Sequence, residues 1–383
     1  MAVLALLAAA CSAPPDAATT TVPTGSTTTP TTTVPSTTTT GPVTTTRPTT
    51  TTTTEAVDVR RLAHAVLMMG LPGPDLDPVT AERLAAGVAG LILFAGNIDG
   101  ADRLRSLTGA AACAAGAPLL VAVDQELGPV ARLVGLVTPL PTAAEAQDMS
   151  PTELELTGQL LGEEMLALGV NVDFAPVIDV VQGANPVLAG RHLGGDPQLV
   201  GELGAAFLRG LQLAGVIAVP KHFPGHGRST TDPHSGVTRI DASLQDLEVV
   251  DFPPFAAAFS AGAEAVMVGH PIYEALDPDL PASLSPAVLA LLRGRFAFTG
   301  VAITDSLSMA GVAQGREPGE LAVLALAAGE DLLLVVNPAQ VEPIVAAVIA
   351  AVATGDLPLE RLQEAAARVR RLAEAAAPVP CPG

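Results

Sequence analysis

Only three cysteines occur in 383 residues, Cys11, Cys113 and Cys381, too few and too scattered for a structural zinc or an iron–sulfur framework. Cationic side chains are scarce as well. Nineteen Lys and Arg stand against 39 Asp and Glu, a formal charge of −20, which repels phosphate backbones and argues against nucleic acid as a partner. No apolar run reaches the roughly 18–20 residues that cross a bilayer. Charged residues make up 15% and hydrophobic ones 49%, against an ordinary charged share of about 25%, so most of the chain must bury a large aliphatic core. Length alone excludes a peptide-sized or disulfide-held scaffold.

What is present begins with an almost wholly apolar stretch, Met1 to Ala10, that runs through Leu7-Ala8-Ala9-Ala10 into Cys11. This resembles the lipobox of a bacterial lipoprotein signal. It implies export, cleavage before Cys11 and lipidation of its thiol, with acyl chains holding the protein on the outer face of the cell membrane. No Lys or Arg precedes the run, so the true translation start is expected upstream; a chance cysteine in an apolar terminus is the other reading. Residues 12–54 hold 23 Thr, 7 Pro and 3 Ser, with only Asp16 and Arg47 charged, so they have no means of building a core and read as a disordered tether. Asp16 and Arg47 cancel, which leaves the whole −20 on residues 55–383.

Those residues alternate short apolar runs with helical stretches, the pattern of a parallel α/β sheet. Eight runs are predicted strands: Val66–Met69, Gly90–Phe94, Leu119–Val123, Val172–Phe174, Val216–Val219, Ala265–Val268, Val301–Thr304 and Leu332–Val335. Ser150-Pro151-Thr152-Glu153, Asp196-Pro197 and Ser285-Pro286 are helix starts, each a capping residue followed by Pro. Eight strands in one domain favour a (β/α)8 barrel; a doubly wound sheet is the alternative, but no G-x-G-x-x-G follows an early strand. Just past the runs lie Asp124-Gln125-Glu126, Asp173, Lys221-His222-Phe223-Pro224-Gly225-His226-Gly227, His270 and Asp305. In a barrel these meet on one rim, and so dense a polar set is costly to bury without a ligand.

Six stretches then occur in order: Val121-Ala-Val-Asp-Gln-Glu126, Asn171-Val-Asp-Phe-Ala-Pro-Val177, Asn185-Pro-Val187 with Arg191, Lys221-His-Phe-Pro-Gly-His-Gly227, Asp232-Pro-His234 and Ile303-Thr-Asp-Ser-Leu-Ser-Met309. Together they resemble the single-barrel bacterial β-N-acetylglucosaminidases of glycoside hydrolase family 3. The resemblance implies Asp305 as the nucleophile of a retaining hydrolysis, and His234, oriented by Asp232, as acid/base in place of the usual second carboxyl group. It implies Asp124, Arg132, Arg191, Lys221 and His222 as sugar contacts, the charged groups supplying donors and acceptors to hydroxyls. From spacing alone Asp305 could equally cap the following helix, and Asp232 and His234 could be two surface loop residues. His222 and His226 are four apart, as in helical zinc sites, but Pro224, Gly225 and Gly227 forbid a helix, so no metal is expected.

Four departures stand out, two in each of two loops. Where the family reads Asp-Gln-Glu-Gly-Gly-Arg-Val-x-Arg, this chain has Leu127 in place of a Gly and Pro129 in place of an Arg, so a strained or rebuilt loop is expected around Asp124 and Arg132. Arg228 stands where Asp is common and Pro233 where Ser is common. The resulting expectation is a cofactor-free, exported lipoprotein glycosidase acting on N-acetylglucosamine-containing cell-wall (peptidoglycan) fragments, with no protein partner implied. The alternatives are β-glucosidase action or phosphorolysis on the same fold, or a catalytically weak wall-binding lipoprotein.

Overall fold

Parallel strands need helical crossovers, and each apolar run is followed by one before the next begins. The computed structural model describes residues 57–231 and 236–382; the predicted signal segment with Cys11, the tether and the Asp232/His234 pair lie outside the described residues. Ten strands form among them: β1 Leu67–Met69, β2 Gly90–Ile92, β3 Leu120–Val123, β4 Val172–Asp173, β5 Ile217–Ala218, β6 Arg239–Ile240, β7 Ala265–Val268, β8 Ile272–Tyr273, β9 Val301–Thr304 and β10 Leu333–Val335. All eight predicted runs contain a strand. Helices over Pro151–Leu166, Pro197–Ala214 and Pro286–Gly294 begin where the caps place them: Ser150, Asp196 and Ser285 each accept a backbone N–H of the first turn.

Six strands make one parallel sheet in the order β10-β1-β2-β3-β4-β5, while β7 pairs with β9 and β6 with β8, also in parallel. The described residues therefore do not form a single eight-stranded ladder. The six-stranded sheet and the β7–β9 pair meet at single parallel bridges, Phe223 to Val268 and Ile303 to Leu332. The reason on the first side is local. After β5 the chain reads Val219-Pro220-Lys221-His222-Phe223-Pro224, and two prolines without N–H thin the ladder; Met267 N still donates to Pro220 O and Phe223 N to Met267 O.

Strand periodicity sorts the core into two parts. Met68, Ile92, Ala122, Val172, Ile217, Met267, Ile303 and Leu334, one from each of the eight runs, fall in one buried cluster. Their neighbours Leu67, Leu91, Val121, Val266, Ala302 and Leu333 pack in another with the helices. With both faces covered, near-continuous apolar runs are what such strands require.

After the last helix, Leu359–Ala375, the chain crosses the N-terminal ends of β3 and β4. There Asn171 Nδ2 donates to Leu119 O and Ala377 O, at 3.0 and 2.9 Å. Cys381 is disulfide-bonded to Cys113 on the Ala101–Ala115 helix, with the Cα atoms 4.9 Å apart across a separation of 268 residues. Closing so long a loop stabilises by restricting the unfolded chain, typically about 2–4 kcal/mol. Cys113→Ala is expected to lower unfolding stability by that order, read as a lower urea midpoint, while leaving turnover of the folded enzyme unchanged, because the bridge sits at the strand ends away from Asp305. Equal midpoints for parent and variant would refute it.

Candidate active site

At the C-terminal ends of the strands lies a cavity of about 380 Å³ whose wall includes Asp124, Glu126, Arg132, Arg191, Lys221, His222, His226 and Asp305. Every described residue assigned to catalysis or sugar contact from the sequence lines it. A larger hollow of about 820 Å³, between Phe259, Phe296 and Arg371, lies at the opposite ends of β7 and β9 and holds none of them.

One wall is a chain of ion pairs. Glu126, fully buried just past β3, takes a two-pronged contact from Arg191, Nε at 2.7 Å and Nη2 at 2.8 Å, and Lys221 Nζ lies 2.6 Å from its Oε1. Lys221, itself buried, also donates to Asp124 Oδ1 at 2.7 Å, and Arg132 Nη2 is 3.9 Å from Asp124 Oδ2. Burial would raise the Glu126 pKa, but Lys221 and the Arg191 fork outweigh it and hold the carboxyl at about 2. Burial likewise works against the Lys221 charge, and Asp124 with Glu126 reverses the balance and raises it. Glu126 and Lys221 therefore both stay charged at neutral pH.

Opposite stands Asp305, half-buried, its backbone N donating to Val268 O at 3.0 Å and its Oδ1 accepting Ser306 N at 2.7 Å. It caps no helix: the next one, Ala310–Ala313, is preceded by Met309 without a side-chain cap. Burial opposes its charge, but His270, His222, the Ser306 N–H and Lys221 together hold its pKa below the ordinary carboxylate value. His270 is fixed by Ser283 Oγ at 2.7 Å on Nδ1 and by Ser306 O at 2.9 Å on Nε2. An ionised carboxylate facing a cavity suits nucleophilic attack.

His222 and His226 are not on a helix, and their rings stand edge to face, 5.6 Å apart. Among the described residues no group of three His, Cys, Asp or Glu is placed to hold a metal ion. Burial, with His222 adding to it, pushes His226 down to about 4, so it is neutral at pH 7. Arg228 pairs through Nε with the buried Asp251 Oδ2 at 2.9 Å, which gives that departure from the family pattern a partner.

Sequence reasoning missed Glu126 as a site residue, although it follows Asp124 by two. It also missed Asp179, whose two oxygens face His222 and His226. The signal for Asp179 was its position two residues past the Asn171–Val177 stretch; nothing in the chain order placed it beside Lys221-His222.

The strained loop is not found. Leu127 has no left-handed φ and is buried in the core cluster shared with the helices. The turn is instead made by Gly128, at φ 146°, where a Cβ would collide with the Gly190 carbonyl. It closes through Glu126 N to Val130 O at 2.8 Å and Leu133 N to Gln125 Oε1 at 2.9 Å. A leucine can occupy position 127 because the left-handed turn falls one residue later. Leu127→Gly is therefore expected to cost roughly 3 kcal/mol or more from lost burial, with no improvement in KM. A lower KM from the glycine variant would reinstate a strained loop.

The chain matches the family described as Glycosyl hydrolase family 3 N terminal domain over residues 73–372. A β-hexosaminidase of Tolumonas auensis is 37% identical over 277 residues, 71% of this chain and 82% of that one. One from Pseudomonas aeruginosa is 39% identical over 254 residues, 65% of this chain and 75% of the other. Among solved structures, a family 3 β-N-acetylglucosaminidase from a Paenibacillus species superposes with a TM-score of 0.80 at 33% identity. The match covers 84% of this chain but 64% of that longer one. A β-N-acetylhexosaminidase from Beutenbergia cavernae gives 0.78 at 32% identity, covering 83% of this chain and 99% of that one.

Proposed function

We propose that this chain, which belongs to glycosyl hydrolase family 3, is a retaining, exo-acting β-N-acetylglucosaminidase that removes terminal N-acetylglucosamine from cell-wall fragments. The observation that carries the reading is the half-buried Asp305 carboxylate, held ionised on the wall of a cavity whose other side is the Asp124, Lys221, Glu126 and Arg191 network. Asp305 attacks the anomeric carbon while His234, steadied by Asp232, gives its proton to the departing glycosidic oxygen, forming a glycosyl-enzyme. His234 then takes a proton from water, the water oxygen attacks the same carbon, and Asp305 leaves with net retention. Asp124, Arg132, Arg191, Lys221 and His222 hold the sugar hydroxyls through both steps.

The eight apolar runs are read as a (β/α)8 barrel, supported by the two bridges between the sheets and by the cluster to which every run contributes. Residues 55–383 are this catalytic domain. Anchoring through Cys11 on the outer face of the membrane, with residues 12–54 as tether, is supported by the Cys113–Cys381 disulfide, since such bonds persist in oxidising compartments. The wall-binding alternative rested on Leu127 and Pro129, and the absence of a left-handed φ at Leu127 weighs against it.

The test is hydrolysis of a chromogenic β-N-acetylglucosaminide against the β-glucoside, with and without phosphate. A preference for the N-acetyl sugar, unaffected by phosphate and with the β-anomer as first product, is expected. Preference for the glucoside, a phosphate requirement, or inversion would each overturn part of the reading.

A further inference from the structure

Asp179 lies beyond β4 in Pro176-Val177-Ile178-Asp179, is fully buried, and does not itself line the cavity. Its two carboxylate oxygens have separate duties. Oδ1 accepts two backbone N–H groups, from His222 at 3.1 Å and from His226 at 2.6 Å. Oδ2 faces the His222 ring, 2.7 Å from Nδ1. Burial opposes the charge on Asp179, but His222 and the backbone N–H of His226 outweigh it, so the group is a carboxylate and can only accept. The proton between Oδ2 and the imidazole therefore belongs to Nδ1, and Nε2 is the nitrogen left for the cavity that His222 lines. His222 also shares the wall of that cavity with Asp305.

We propose that Asp179 is a positioning residue of this site: it fixes the orientation and the Nδ1–H tautomer of His222, so that Nε2 is presented to the sugar and the ring stands beside Asp305. The role rests on the glycosidase reading only in that His222 meets a sugar. A buried carboxylate behind a ring that works through its other nitrogen is a general way to hold an imidazole in one tautomer.

The division of labour between the two oxygens supplies the test. In Asp179→Asn the amide oxygen can keep both backbone bonds at the Oδ1 position, while the amide NH2 replaces Oδ2 and donates to Nδ1. The loop stays anchored and the His222 proton moves to Nε2. Expected are a thermal midpoint within a few degrees of the parent, a switch of the His222 tautomer in ¹⁵N-imidazole NMR spectra, and a fall in kcat/KM of about tenfold or more, mostly in KM. In a His222→Ala background the same substitution is expected to change kcat/KM less than about twofold, since its effect runs through the ring. The assay uses the aryl β-glycoside that the parent cleaves best, so a wrong sugar assignment changes the substrate and leaves the comparison intact. Unchanged kcat/KM in Asp179→Asn, an unswitched tautomer, or an equal loss with and without His222 would overturn the proposal.

Discussion

Asp305→Asn is expected to lower kcat on the order of 10⁴-fold or more, with the thermal midpoint within a few degrees of the parent. The magnitude is that of removing the proposed nucleophile outright. Asn keeps the shape and can still accept the Ser306 N–H bond at Oδ1, so the fold loses little. It cannot form the glycosyl-enzyme, and the other carboxylates described on the cavity wall are already engaged, Glu126 by Arg191 and Lys221, and Asp124 by Lys221. A 2-fluoro or 5-fluoro glycosyl inhibitor should add mass to the peptide containing Asp305 in the parent enzyme. Labelling elsewhere, or near-parental turnover by the variant, would reassign the nucleophile.

Glu126→Ala is expected to have the largest effect on stability, about 3–5 kcal/mol, because removing one partner of a buried ion network leaves the others desolvated without compensation. Arg191 would lose both prongs of its contact, and Lys221 would keep only Asp124. Glu126→Gln preserves the volume and separates the two roles. It should raise KM about tenfold or more while lowering kcat less, because in the proposed function Arg191 and Lys221 hold the sugar in ground and transition states alike.

The pH dependence follows from the same carboxyl. Its pKa is about 2 in the folded chain against the ordinary value of 4.5, so between those values the unfolded state binds more protons and stability falls as pH drops. The Glu126 contribution is fully present above pH 4.5. The stability gap between parent and Glu126→Gln should therefore shrink from about pH 5 towards about pH 2. Urea midpoints at about pH 3 and about pH 6 measure it, and a constant gap would mean the carboxylate charge contributes nothing.

How much is legible along the chain varies with the kind of question. Chain order and period placed eight of the ten strands and three capped helices, because burial on both faces demands uninterrupted apolar runs and a helix start needs a local acceptor for its free N–H groups. Lys221-His-Phe-Pro-Gly-His-Gly227 and its five companions pointed to the family for a similar reason: residues close in sequence travel together to one strand end. Leu127 marks the boundary. Its neighbours in the chain predicted a strained or rebuilt turn, and only the core behind it, together with Gly128 taking the left-handed conformation, showed an ordinary buried leucine.

What the folded chain alone decided is the state of each charge. Asp173 and Asp305 are the same residue at equivalent strand ends. Yet Asp173, fully buried with Oδ2 unpartnered, is pushed well above the ordinary value by desolvation, whereas histidines and an N–H hold Asp305 below it. Glu126 and Asp179 emerged as anchors only when residues 65 and 43 positions away arrived within hydrogen-bond distance. The Cys113–Cys381 bridge closes a separation that carries no geometric information in itself. Hydrophobic period and capping are properties of neighbours along the chain. Ionisation and pairing depend on approaches of a few ångströms through space, which chain order leaves open until the core has packed.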